Sequence, residues 1–152
     1  MKRLLVVILI MVAVGLPALA QKKGGDDFHG LIRRYYSAWN TLNPDNVSSL
    51  YAKDADLVFF DIAPLKYSNW HEYSETFKNT VAPGFASLAL KANNDVKVIQ
   101  RGSMALTTLT FHLSGKQKDG TVLEFDCRHT IVWEKRGGRW LIIHEHISKP
   151  LF

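Results

Sequence analysis

Apolar positions along the chain follow three regimes. Leu4 to Val14 is a continuous apolar run behind Lys2 and Arg3. From Phe28 to Phe77 apolar residues recur mostly at spacings of three and four, and beyond Pro83-Gly84 they alternate with polar ones at a spacing of two. The middle regime predicts an amphipathic helix whose apolar positions are Phe28, Leu31, Ile32, Tyr35, Tyr36, Ala38 and Trp39, with Asp26 or Asp27 as its cap. Asn43-Pro44-Asp45 breaks it, and Pro44 suits the first turn of a second helix running to Tyr51. Residues 56–62 (DLVFFDI) read as a short strand ended by Pro64. Ser68 then caps a third helix over 69–80, with Trp70, Tyr73 and Phe77 on one face.

The alternating regime predicts strands over 85–100, 104–115, 121–134 and 139–148. The first has a polar, bulge-prone middle at Asn93-Asn94-Asp95, and Arg101-Gly102, Asp119-Gly120 and Gly137-Gly138 are hairpin signals. Helices followed by antiparallel hairpins mean an α+β domain. Its N-terminal helices pack on a strongly curved, mainly antiparallel sheet, and such a sheet encloses a cone-shaped pocket.

The last hairpin predicts which side chains share a face. With a three-residue turn at Arg136-Gly137-Gly138, Trp133 faces Leu141, Ile131 faces Ile143, His129 faces Glu145 and Cys127 faces Ile147. That face is apolar apart from one histidine–carboxylate pair. The other face places Val132 against Ile142, Thr130 against His144 and Arg128 against His146. A carboxylate in an apolar wall has a raised proton affinity, which a neighbouring histidine offsets. The pair is therefore either a general base with its orienting partner or a buried lock on strand register. His144 and His146, two apart on one face, have zinc-chelating spacing, but Thr130 and Arg128 supply no third ligand, so no metal or other cofactor is expected. Asp61 is a second carboxylate candidate, as a base or as a cap of the following turn. One of Tyr35 and Tyr36 can lend a phenol to the pocket.

Composition changes this picture in three ways. Lys2-Arg3, the apolar run and Ala18-Leu19-Ala20 form a signal-peptide pattern over 1–20, interrupted by Gly15 and Pro17 and too short for a spanning helix. Cleavage before Gln21 leaves a flexible leader over 21–27 and one domain over 28–152, secreted or periplasmic, with no membrane association after cleavage. Without Lys2 and Arg3 the formal charge falls from +5 to +3, and the basic residues are scattered, which disfavours a nucleic-acid partner. Cys127 is the only cysteine, so no intramolecular disulfide braces the domain.

Four stretches resemble the SnoaL-like branch of the nuclear transport factor 2-like superfamily, which includes ketosteroid isomerases and the association domain of calmodulin-dependent kinases. They are Ile32 to Asn40 (IRRYYSAWN), Leu50 to Ala55 (LYAKDA), Thr130 to Lys135 (TIVWEK), and Gly138-Arg139-Trp140 with His144-Glu145-His146-Ile147-Ser148. The resemblance implies Tyr35 as the oxyanion-side tyrosine and a base near Asp61. Counted from Tyr51, Asp61 lies two residues beyond the place of the isomerase base, which Phe59 holds, and His129 stands where isomerases keep a protonated acid. Dimerisation through the sheet is a further implication, in line with outward-facing His144 and His146.

These readings converge on a domain that binds a small hydrophobic ligand, with acid–base chemistry of isomerase or hydrolase type as its candidate activity. Asp61, His129, Glu145 and Tyr35 are the candidate catalytic groups. Phe59, Phe125, Cys127, Ile131, Ile143 and Ile147 are the candidate ligand wall. The alternative is a non-catalytic assembly domain, a homodimer through the outer sheet face with a vestigial pocket.

Overall fold

The computed structural model describes residues 26–151, so the signal-peptide pattern and most of the leader lie outside the described residues. Helix α1 (Phe28–Trp39) starts where Asp27 accepts a hydrogen bond from Gly30 N at 2.8 Å. It buries Phe28, Ile32, Tyr35, Tyr36 and Trp39, while Leu31 and Ala38 of the expected apolar set are only partly buried. The expected second helix is instead two 3-10 turns, Pro44–Asn46 and Ser48–Leu50. Helix α2 (Trp70–Thr76) is capped by Asn69 rather than Ser68, because the Asn69 side chain accepts from Glu72 N while Glu72 accepts from Ser68 N. A π-helical turn, Phe77–Val81, continues it and keeps Phe77 inward.

Strands β1 (Phe85–Ala92) and β2 (Lys97–Arg101) both pair antiparallel with β3 (Met104–Gln117), one with each half. The polar stretch at Asn93-Asn94-Asp95 is the break between them, where Asp95 accepts from Thr110 N at 3.0 Å and from Thr110 Oγ1 at 2.8 Å. Strands β4 (Val122–Arg136) and β5 (Arg139–Ser148) complete an antiparallel sheet of order β1-β3-β4-β5, which is not closed. Residues 56–62 form no named strand. They run beside β5 through a parallel bridge from Phe60 to His146, with Phe60 N donating to the Glu145 carbonyl and Ile147 N to the Phe60 carbonyl. Inner-face residues of β1, β3 and β5 meet α1 around one cavity, so the sheet wraps the helix.

The final hairpin corrects the expected register. Its turn is the two-residue Gly137-Gly138 with φ of 55° and 80°, a left-handed pair that the right-handed twist of the strands favours. Arg136 therefore faces Arg139, and Trp133 faces Ile142. Pairing then passes to Val132 with His144, which leaves Ile143 as the extra residue of a β-bulge. Before the bulge Trp140 and Ile142 point inward; after it Glu145 and Ile147 do. A one-residue slip in the turn is undone by a one-residue bulge. Glu145 and Ile147 thus share the inner face with Cys127, His129 and Ile131 as expected, while Ile143 does not.

Candidate functional site

The cone is filled more completely than the sequence suggests. Tyr51 stacks on Trp70 with ring centroids 4.0 Å apart, Tyr67 on Tyr73 at 4.4 Å, and Trp39 meets Phe77 edge-on at 4.6 Å. This aromatic packing closes the lower cone, so Phe59, Cys127 and Ile131 are core residues rather than pocket wall. Phe125 packs at the core's edge beneath the Lys149 ammonium, 4.5 Å from its ring centroid. Of the six expected wall residues only Ile147 lines the remaining cavity, which measures about 90 Å³.

Asp61 and Tyr35 line that cavity, with Trp39, Phe77 and Phe111 among its apolar walls. Asp61 leaves the β5 edge just before Pro64. Its Oδ1 accepts from its neighbour Ile62 N at 2.7 Å and its Oδ2 from the Tyr73 hydroxyl at 3.1 Å. Burial raises its pKa to about 6; those two donors pull it down and the Glu145 carboxylate pushes it up. The same burial holds the Tyr35 and Tyr73 hydroxyls well above their ordinary values, so both remain phenols. The site thus sets a carboxyl group whose pKa burial raises beside an apolar space that Tyr35 also lines.

His129 and Glu145 sit elsewhere. Both are fully buried, and neither lines the cavity. They are not directly opposite, since His129 pairs with Ile147 and Glu145 with Ile131, but on the diagonal Nε2 comes within 3.5 Å of Oε2. Glu145 Oε1 accepts from the Tyr51 hydroxyl at 2.8 Å, and His129 Nδ1 shares a hydrogen with Tyr36 at 2.9 Å. Tyr36 with His129 ties α1 to β4 and Tyr51 with Glu145 ties the preceding turn to β5, while His129 Nε2 and Glu145 Oε2 face each other without a hydrogen bond.

The bonded roles of Tyr36, Tyr51 and Tyr73 are not visible in the sequence pattern. Tyr36 and Tyr51 look like ordinary core residues in their local patterns, and their partners lie 93 and 94 residues away. Tyr73 had a usable signal, since its helical spacing with Trp70 and Phe77 turns it toward the same interior as Asp61. His144 is not a free outer-face group, because its Nδ1 bonds the Val58 carbonyl at 2.7 Å and pins the 56–62 segment to β5. His146 packs edge-on against Phe60.

A family model described as a SnoaL-like domain matches residues 29–152. Among solved structures, a nuclear transport factor 2-like superfamily protein from Salmonella enterica serovar Typhimurium is 21% identical, covering 81% of this chain and 88% of its own, with a TM-score of 0.74. A candidate association domain of calcium/calmodulin dependent protein kinase II from Xanthomonas campestris is 23% identical over 93% of this chain and 99% of its own, at a TM-score of 0.70. A candidate ketosteroid isomerase from Shewanella frigidimarina is 21% identical over 78% and 92%, at 0.63. No curated protein matches the sequence.

Proposed function

The chain belongs to the SnoaL-like domain family, and from that premise we propose that it binds a small hydrophobic molecule in the cavity and moves a proton on it with Asp61. The observation that carries this reading is the Asp61 carboxyl group, raised to about 6 at the wall of an apolar cavity that also holds the Tyr35 phenol. A carboxylate of that strength accepts a proton from carbon adjacent to a carbonyl and returns it to a neighbouring position. A phenol across the cavity donates to the oxygen on which negative charge develops. His129 and Glu145 support the cavity floor and do not touch the ligand. The domain works outside the cytoplasm on this reading, which rests on the signal-peptide pattern of 1–20.

The test needs no knowledge of the physiological substrate. Acetone is small enough for the cavity, and its methyl hydrogens exchange in D2O once a base removes them. The wild-type protein accelerates that exchange, followed by proton NMR, with a rate that rises through pH 6. Asp61→Asn loses on the order of 100-fold of the acceleration, the usual scale for a general base. Equal rates in the two proteins would exclude Asp61 as the base.

The outer sheet face supports a second element of the proposal, a homodimer. Register aligns Ile99, Leu106, Val132 and His144 in one row across four strands. Ile99 is 54% exposed, and Leu106 and Val132 are half-buried without cover from a helix. Ile99→Glu, which places a charge at the exposed end of this row, converts a dimer to a monomer in sedimentation equilibrium while leaving acetone exchange intact. An unchanged mass would place the interface elsewhere.

A further inference from the structure

The cavity is too small for a whole substrate of ordinary size. At about 90 Å³ it falls short of the roughly 150 Å³ that admits benzene in an engineered apolar cavity. Its wall continues outward, however. Asp61, Ile62 and Ile147 line the cavity and also an open groove of about 600 Å³, bounded by the 60–65 segment and the chain after β5. The groove is apolar along Phe60, Ile62 and Ile147, and its rim carries Leu65 and Leu151, 91% and 93% exposed. Among the described residues Lys149 is its only permanently cationic lining residue. Among the described residues no carboxylate lies within salt-bridge distance of Lys149, whose ammonium rests over the Phe125 ring. His146 lines the same groove, and among the described residues Asp61 is its only acidic lining side chain.

We propose that the ligand is an amphipathic organic acid whose small reactive end enters the cavity, while its apolar body lies across Ile62 and Ile147 and its carboxylate pairs with Lys149. This deepens the proposed function and rests on it. Three features select the ligand class. The volume restricts the buried end to a few heavy atoms, Asp61, Ile62 and Ile147 set the cavity and the groove side by side, and an ammonium with no carboxylate partner among the described residues favours an anion at the outer end. Asp61 reinforces the orientation, since a ligand carboxylate beside it would be repelled and is driven to the Lys149 end. An apolar body between the two charged groups also removes Leu65 and Leu151 from water.

Isothermal titration calorimetry with octanoate, 1-octanol and octylammonium tests the proposal, alongside methyl NMR of Ile62 and Ile147. Octanoate binds about tenfold more tightly than octanol, as one desolvated charge-assisted contact provides, and octylammonium binds most weakly. Lys149→Met erases the preference for octanoate and Lys149→Arg keeps it. Equal binding of octanoate and octanol, or a preference that survives in Lys149→Met, overturns the proposal. If acetone shifts the Ile147 methyl while octanoate shows no preference, the inference fails and the cavity reading stands. If neither probe moves Ile147, both fail.

Discussion

At pH 8 the Asp61→Asn variant melts above the wild-type protein, while at pH 4 the two melt together. The folded protein holds the Asp61 proton with a pKa of about 6, whereas an unfolded chain releases it near 3.9. A raised carboxyl value means that the folded state binds more protons between about pH 4 and 6, so stability is fully present below that window and is lost as pH rises through it. Asparagine imitates the protonated acid at every pH. Its amide oxygen still accepts from Ile62 N, and its nitrogen can donate to the Tyr73 oxygen that now faces Asp61 Oδ2. The difference in pKa corresponds to at most about 3 kcal/mol, and partial solvent access reduces the expected gain to about 1–2 kcal/mol, or on the order of 4–8 °C in Tm. Differential scanning calorimetry across pH 4 to 8 measures it. The same substitution removes the acetone exchange, so a gain in stability accompanies a loss of function, as for a charge kept in an apolar wall for its chemistry. If Asp61→Asn melts below wild type at pH 8, the Asp61 carboxylate is a structural cap of the following turn, the other role its sequence position allows.

The architecture was legible because period and punctuation act locally. Phe28 to Trp39 repeats at helical spacing behind an aspartate cap, and Arg139 to Ser148 alternates behind two glycines. Two kinds of feature were not legible. Strand 56–62 has the right composition but pairs with β5 at only isolated points, because tertiary contact rather than β propensity decides pairing. The bulge at Ile143 leaves no mark in composition, yet it decides whether Ile142 or Ile143 is buried. Of the candidate site residues, Asp61 and Tyr35 line the cavity; the first is a local oddity, a carboxylate in an apolar run, and the second was named through the family resemblance. That His129 and Glu145 lie beneath the cavity rather than in it depends on how far Tyr51, Trp70 and Tyr73 fill the cone, a property of three-dimensional packing.

Glu145→Ala costs about 3–5 kcal/mol of folding free energy, the scale for breaking a buried charged or polar pair by removing one member. The carboxylate is fully buried, accepts from Tyr51 at 2.8 Å and faces His129 Nε2 at 3.5 Å. Alanine strands the Tyr51 hydroxyl, removes the carboxyl group facing His129 Nε2, and adds a void. Glu145→Gln costs less, since its amide oxygen still accepts from Tyr51. Replacing all four groups with Tyr36→Phe, Tyr51→Phe, His129→Leu and Glu145→Leu recovers most of the loss, because no donor is then stranded in an apolar interior. Urea denaturation of the three proteins separates these outcomes. The bulge explains why such a costly group is held there. Glu145 points inward only because Ile143 is the extra residue; without the bulge the carboxylate would turn outward and His144 inward. The inward bond to Tyr51 therefore selects one of two registers for the end of β5, and that register also sets Ile147 in the cavity wall and aligns Phe60, hence Asp61, beside it. If Glu145→Gln abolished acetone exchange as fully as Asp61→Asn while keeping its Tm, the buried groups would belong to the chemistry itself. If exchange persists and only stability falls, Glu145 is the residue that holds Asp61 and Ile147 in place.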